Sequence, residues 1–317
     1  MKILITGGSG FIGRNLILNF LDKNYEIYST VRDDKYLSFK NITFFNFGDI
    51  DKNTDWSMLL DKCDIVIHTS AITHNSSKSR EDFKKNLVIT NIEATENLFQ
   101  QAVKYRVKKF IFLSSAKVYG ENTYANSKFN ESHIAIPEDV YSWSKKKADE
   151  KILSYGKNRL IDIFIIRAPI IYGIGVNNNF SKLIKYVQNF KIFPCFANRN
   201  KRSYLALDNL IDFISLCVES KSRSENLQEI FLISDGEVIS TCQVIKKIRK
   251  IYNTKNIFIL IPDSLLVYLA KFFFPKKFAN SLVGNFQIEI NKAEKKLGWK
   301  PKYTMLDQLR KMADYDD

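Results

Sequence analysis

Tyr141 and Lys145 stand four residues apart in a chain of 317, and on a helix that spacing puts both side chains on one face. A phenol beside an ammonium is proton-transfer chemistry. The cation stabilises the phenolate and lowers the tyrosine pKa toward neutrality, so the pair predicts a usable acid or base. Ser114 and Ser115 follow an apolar run that ends at Leu113, where a hydroxyl is placed to donate to a reacting oxygen. Tyr-x-x-x-Lys alone recurs by chance, and a second element far away in the sequence gives it meaning.

That element is Thr6-Gly7-Gly8-Ser9-Gly10-Phe11-Ile12-Gly13. The run Lys2-Ile3-Leu4-Ile5 before it has no amphipathic period, as expected of a strand buried on both faces. The apolar residues from Phe11 to Leu21 fit a helix, whose N-terminal amides and dipole suit a pyrophosphate. Gly7 permits the tight turn, Gly10 lets backbone approach phosphate oxygens, and Gly13 lets the helix pack close to the strand. Together with Tyr141 and Lys145, which can also hold a nicotinamide ribose, the loop predicts a nicotinamide-dependent oxidoreductase. Glu26 to Val31 reads as the second strand. Its end carries Val31 and Arg32, not the carboxylate that accepts from a ribose 2′-hydroxyl. A guanidinium pairs with a 2′-phosphate, which predicts NADP(H), with Ser29, Thr30 and Arg32 as its readers. NAD stays open as the alternative, through Asp33 or Asp34.

The elements that must position these groups alternate along the chain. Apolar runs at Ile42–Phe47, Ile65–His68, Lys109–Leu113 and Ile163–Ile166 are separated by helix-length segments, notably Asn91–Tyr105 and Ser142–Leu153. This predicts a doubly wound parallel α/β sheet, with ligands beyond the C-terminal strand ends. The expected organisation is a dinucleotide-binding domain over residues 1–174 and a smaller mixed α/β substrate domain over 175–317, with allowance for strands of the second to return to the first. Turns are read at Asp235-Gly236 and Pro275.

A hydrophobic content of 45% is ample for a full core. The net charge of +14 comes from basic residues spread along the whole chain, without a helix-turn-helix, zinc-finger or aromatic RNA-binding signature, so nucleic acid is not the expected partner. Cys63, Cys195, Cys217 and Cys242 lack metal-ligand spacing and read as buried thiols of a reducing, cytoplasmic compartment. Met1-Lys2 leads straight into the first strand without a long apolar region or cleavage site, so this N-terminus is not expected to act as a signal peptide, and the apolar stretch Leu265–Phe274 is too short to span a bilayer. With Lys276 and Lys277 it reads as a packed helix, or alternatively as a peripheral membrane contact.

Many further segments, in order, make the chain resemble the extended short-chain dehydrogenase/reductases of the sugar-nucleotide epimerase/dehydratase family. They include Gly48-Asp49-Ile50, His68-Thr69-Ser70-Ala71, Asn91–Thr95, Ser114–Gly120, Tyr141–Lys145, Arg167–Gly173, Arg202-Ser203-Tyr204 and Leu297–Pro301. The resemblance implies a Rossmann fold with Ser115, Tyr141 and Lys145 as the catalytic set. It also implies a cofactor held by Gly7, Gly10, Phe11, Ile12, Gly13, Thr30, Arg32, Asp49, Ile50, Ser70, Ala71, Lys145 and Pro169. Asn179 and Arg202 would hold the diphosphate of a UDP-sugar, and the chain would pair as a homodimer through helices such as Asn91–Tyr105 and Ser142–Leu153. Family members that dehydrate a sugar carry Asp-Glu after the catalytic hydroxyl residue. Here those positions are Ala116 and Lys117, so the resemblance points away from a 4,6-dehydratase. Two hydride transfers at C4 of a UDP-hexose remain: an NADPH-dependent 4-keto reductase, favoured by Val31 and Arg32, and a 4-epimerase with bound NAD. A non-catalytic dinucleotide sensor is a third reading, opposed by the retention of Ser115, Tyr141 and Lys145.

Overall fold

A computed structural model of the chain describes residues 1–32, 42–73, 79–124, 127–190, 192–195, 200–221, 227–255, 257–260 and 284–316. The Leu265–Phe274 stretch, Lys276, Lys277, the turn at Pro275, and Asp33 and Asp34 lie outside these residues. The chain divides into two compact units. The first comprises Met1–Tyr119, Ile134–Arg167 and Ile211–Phe231; the second comprises Gly120–His133, Ala168–Leu210 and Leu232–Asp317.

The first unit opens with β1 (Lys2–Thr6), α1 (Phe11–Phe20), β2 (Glu26–Val31), β3 (Ile42–Asn46), α2 (Ser57–Leu60) and β4 (Ile65–His68). The chain then runs through α3 (Arg80–Leu87), a π-helical turn (Val88–Glu93) and α4 (Ala94–Lys104), where the sequence predicted a single helix from Asn91. β5 (Lys109–Ser115), a 3-10 turn (Ala116–Tyr119), α5 (Val140–Gly156) and β6 (Asp162–Ala168) complete the series. The second unit holds β7 (Ile170–Tyr172), α6 (Asn179–Asn189), β8 (Ile192–Cys195) and β9 (Arg202–Ala206). α7 (Leu207–Glu219) and β10 (Gln228–Leu232) follow, then β11 (Val238–Ile239), α8 (Thr241–Ile251), β12 (Ile257–Leu260), α9 (Asn291–Leu297) and α10 (Met305–Asp316).

The main sheet has seven strands in the order β10-β6-β5-β4-β1-β2-β3. β1 pairs in parallel with β2 and β4, β2 with β3, and β4 with β5. This is the doubly wound α/β fold, and its strands are continuous apolar runs because both faces are covered: every residue of β4 and β6 is buried. A smaller three-stranded sheet, β11-β9-β7, and the β12-β8 pair stand apart from it. Register aligns Thr6 with His68 and His68 with Phe112, so β1 and β4 end level with each other beside the glycine loop and β5 runs three residues further, to Ser115.

The chain passes between the two units more than once. β10 returns to the edge of the first sheet: Leu227 donates to the Asp162 side chain at 2.8 Å, Ile163 donates to the Leu227 carbonyl at 2.6 Å, and Phe231 stacks on Phe164. Burial of the β6 edge decides this, since exposed strand edges are a liability, and periodicity alone does not say which strand covers it. A buried lysine locks the same region. Lys109 Nζ donates to the carbonyls of Cys217, Val218 and Ser220 at the end of α7, where the helix dipole favours a cation. Lys109→Met is expected to cost about 2–3 kcal/mol, the scale for hydrogen bonds to a charged group. Urea unfolding measures it, and a loss under about 0.5 kcal/mol counts against that role.

The cysteines divide. Cys63 and Cys217 are free and buried, as read, with burial holding the Cys63 thiol up at about 11. Cys242 is disulfide-bonded, which corrects the reading of all four as thiols; spacing in sequence carries no information about which sulfurs the fold brings together.

Candidate active site

The glycine loop is built as its residue types demand. Gly7 has φ +74°, and Gly10 N–H closes the turn onto the Gly7 carbonyl at 2.9 Å. A Cβ on Gly13 would collide with the Gly7 carbonyl oxygen and lie 2.8 Å from its carbon, so only glycine lets α1 approach the loop. The helix starts at Gly10 without a side-chain cap and without an acid in its first turn. Its first amides are therefore open to an anion, and the residues present fit a pyrophosphate.

Behind the loop, Thr6 Oγ1 accepts from the backbone N–H groups of Thr69 and Ser70 at 3.2 and 3.3 Å. It also pairs with His68 Nδ1 at 2.7 Å, while His68 Nε2 meets Thr95 Oγ1 at 2.8 Å. A hydroxyl already accepting two N–H groups gives its proton to the ring, so Nδ1 accepts and Nε2–H donates to Thr95. Burial keeps this imidazole neutral, with its pKa pushed down to about 3. The sequence listed His68 only as part of a matching segment. Its role of tying β1, β4 and α4 together is visible only in three dimensions.

Asn91, in the π-helical turn, was likewise missed. Its amide exchanges two hydrogen bonds with the Ile72 backbone, at 2.8 and 3.0 Å, and donates to Ser144 Oγ at 3.1 Å. Ser144 in turn donates to the Tyr141 carbonyl at 2.7 Å. Thus the segment after Ala71 is pinned to the turn of α5 that carries Tyr141, and π-helical turns recur at functional sites. α5 begins one residue earlier than Tyr141 because Asp139 caps it: the Asp139 carboxylate accepts from Ser142 N–H at 2.7 Å and Ser142 answers in a capping box.

Ser115, Tyr141 and Lys145 come together in the first unit. Ser115 is buried, its Oγ accepts from Lys117 N–H at 3.3 Å, and it lies near enough to the Tyr141 phenol to favour the phenolate. The proton affinities differ from the sequence expectation. Tyr141 is half-buried by area, yet loss of water, then the charges of Asp139 and Asp149, raise its pKa, with Ser115 alone opposing. The Lys145 ammonium sits 4.0 Å over the ring of Phe112, and burial lowers Lys145 itself to about 8. The site without ligand therefore holds a phenol, the proton-donating form.

The other residues singled out from sequence are placed as follows. Phe11 and Ile12 open α1, half-buried, and Ser70 and Ala71 are half-buried past β4. Ser29 and Thr30 are buried and already engaged: Ser29 Oγ donates to the Ile5 carbonyl at 2.9 Å and Thr30 Oγ1 accepts from Gly7 N–H at 3.2 Å. Both hydroxyls brace the loop. Arg32 is exposed, 4.0 Å from an exposed Asp49. Ile50 is buried in the core cluster with Leu4, Trp56 and Leu98. Pro169, Asn179 and Arg202 belong to the second unit. Pro169 is buried, and Asn179 is exposed at the start of α6, behind the cap residue Asn178. Arg202 is buried, donates to the Gly284 carbonyl at 2.9 Å and faces the Phe286 ring. Among the described residues no cluster of acidic, His or Cys groups could hold a metal ion, and no helix is long and apolar enough to cross a membrane.

The profile of the NAD dependent epimerase/dehydratase family matches residues 3–233. The chain belongs to that family. As an epimerase/dehydratase family member it is an enzyme of the extended short-chain dehydrogenase/reductase class. It is 31% identical over 319 residues to a UDP-glucose 4-epimerase of Vibrio cholerae, covering 98% of this chain and 94% of the relative. It is 32% identical over 279 residues to a dTDP-D-glucose 4,6-dehydratase of Dictyostelium discoideum, covering 79% of this chain and 62% of the relative. The fold is shared with UDP-glucuronic acid 4-epimerase from Bacillus cereus in complex with NAD, with TM-score 0.78, 24% identity, and coverage of 99% and 96% of the two chains.

Proposed function

We propose that this family member transfers hydride at C4 of a UDP-hexose or UDP-N-acetylhexosamine, acting as an NADPH-dependent 4-keto reductase in surface-polysaccharide precursor synthesis. The observation that carries the reading is the end of β2, where Val31 is buried and the next side chain is an exposed guanidinium, Arg32, rather than a carboxylate. A fork of donors in that position matches a 2′-phosphate.

The residues have distinct work. Gly7, Gly10 and Gly13 bring backbone amides to the pyrophosphate, and Lys145 holds the nicotinamide ribose. Ser115 orients the sugar oxygen and Tyr141 donates its phenolic proton to it. The bound dinucleotide supplies the hydride that C4 accepts, so the ketone becomes an alcohol with one proton and one hydride gained. Asn179 and Arg202 hold the UDP diphosphate. Ala116 and Lys117, after Ser115, supply no acid-base pair for removing the C6 oxygen, which sets this chemistry apart from dehydration. A cytoplasmic homodimer, paired through α4 and α5, belongs to the same reading.

A second reading is favoured by the Vibrio cholerae relative, a UDP-glucose 4-epimerase by name and similar over almost the whole of both chains. In an epimerase the same tyrosine, as phenolate, would take the proton of the C4 hydroxyl and later return it, and a bound NAD would supply the hydride acceptor for the C4 hydrogen. One experiment separates the two: the protein is mixed with UDP-N-acetylglucosamine, and separately with its 4-keto-6-deoxy derivative plus NADPH. Stoichiometric loss of absorbance at the reduced nicotinamide band is expected. Interconversion of C4 epimers without added cofactor would sink the reductase. Arg32→Ala is expected to weaken NADPH binding at least tenfold and NADH binding less than about twofold, on the scale of one charge-assisted pair.

A further inference from the structure

Tyr141, Lys145 and Asp149 recur at every fourth residue of α5, so the helix presents all three on one face. Asp149 is 1% exposed. Its Oδ2 accepts from Arg167 Nε on β6 at 2.9 Å, and Arg167 Nη1 donates to Tyr119 Oη at 2.6 Å, with the guanidinium 4.9 Å from that ring's centroid. Among the described residues the second carboxylate oxygen, Oδ1, is buried without a hydrogen-bond partner, and so is Ser114 Oγ. Burial raises the Asp149 pKa, and the charge of Arg167 and then the nearby Ser114 hydroxyl oppose that by favouring the carboxylate. For packing alone this arrangement is wasteful, since well-fitted apolar residues commonly match or exceed a buried ion pair. A buried carboxylate with one oxygen left unsatisfied is costlier still.

We propose that Asp149, held by Arg167, is a positioning residue of the proton-transfer site: its carboxylate keeps Lys145 as an ammonium and Tyr141 as a phenol. This rests on the reading in which Tyr141 gives its proton to a sugar oxygen. On Lys145 the opposing charge is Asp149, while on Tyr141 Asp139 acts first and Asp149 second. On β4, His68 is neutral. On β5, Phe112 gives Lys145 a ring face, and Ser114 and Ser115 are uncharged. Arg167 on β6 and the phenol of Tyr119 in the 3-10 turn are turned to each other and to Asp149. Asp139 at the helix cap lies 3.8 Å from Lys117, and Glu96 on α4 pairs with Lys151 on the outer side of α5. On α5 itself, Glu150 is exposed and pairs with Lys146 and Lys147. Asp149 is the group whose charge opposes the effect of burial on Lys145, and it adds to the effect of burial on Tyr141. Both influences have one consequence: each proton stays on until a substrate oxygen takes it.

The test uses the full-length protein without ligands, carrying lysine labelled with carbon-13 at Cε. The Lys145 resonance is identified by its absence in Lys145→Met and is followed against pH by NMR. A midpoint near 8 is expected in the parent. In Asp149→Asn it is expected to fall by at least about one unit, a tenfold change in the protonated-to-neutral ratio. Because Asp149→Asn strands Arg167, the paired variant Asp149→Leu/Arg167→Met is titrated as well; its apolar pair removes both charges together. A fall of the midpoint in this variant, smaller than in Asp149→Asn, supports the proposal. An unchanged midpoint in either folded variant overturns it. The titration needs neither cofactor nor sugar, so a protein that titrates as expected but fails the C4 assay refutes the function alone. C4 turnover whose pH profile is the same in parent and Asp149→Asn refutes the positioning role alone.

Discussion

Tyr141→Phe is expected to lower turnover by about 10²–10⁴-fold, the range supplied by one positioned acid-base group, while the dissociation constant for the dinucleotide changes less than about twofold. The phenylalanine ring fills the same half-buried place on α5 and keeps the backbone carbonyl that Ser144 donates to. What it removes is the hydroxyl that meets Ser115 and the only proton in that position. Thermal unfolding of the variant should match the parent, since the capping box of Asp139 and Ser142 and the Asn91–Ser144 tie do not involve the phenol. Steady-state kinetics with fluorescence titration of the cofactor measures both quantities. Turnover within about tenfold of the parent would remove Tyr141 from the chemistry. Loss of turnover with retained binding would also dispose of the non-catalytic sensor, which has no need of a tuned proton donor.

Gly13→Ala is the second large effect, and it acts on binding and stability together. The added methyl would meet the Gly7 carbonyl and come within 3.0 Å of Gly8 Cα. Those are backbone atoms, so no side-chain rotation relieves the clash. α1 has to move away from the loop, and with it the open amides that face the pyrophosphate. Overpacking of this kind costs about 1–3 kcal/mol of stability. Cofactor affinity is expected to fall more than about a hundredfold, because several amide–phosphate hydrogen bonds are lost at once. Calorimetric titration of the dinucleotide reads the affinity and urea unfolding the stability. Near-parental affinity for Gly13→Ala would mean that the loop does not cradle the pyrophosphate. Gly10→Ala is the useful contrast: its Cβ would meet only the Gly7 carbonyl oxygen, at 3.1 Å, so the stability cost there should be small.

The sequence by itself determined the alternating apolar strands β1 to β6, the helices α1, α4 and α5 in outline, and the glycine loop, and it placed Tyr141 and Lys145 on one face of α5. These are local or periodic properties. A strand covered on both faces must be an apolar run, a helix face repeats at three and four residues, and a glycine under a closely packed helix has no substitute. The start of α5 at Val140, two residues before its predicted bound, follows from a cap at Asp139, which is also local. Recognition of family segments along the chain extended that legibility to fold and class.

What only the tertiary structure decided are matters of which distant groups meet. Arg167 lies on β6 and Asp149 on α5, yet they form a buried pair behind the catalytic face. His68 gains its meaning from Thr6 and Thr95, and Asn91 from Ile72 and Ser144. Ser29 and Thr30 are engaged with Ile5 and Gly7. The direction of the Tyr141 shift changed for the same reason: proximity in sequence promised a lowering by Lys145, but desolvation and two carboxylates act on the phenol while the ammonium rests on Phe112. Proton affinity depends on burial and on every charge nearby, and spacing along one helix fixes neither.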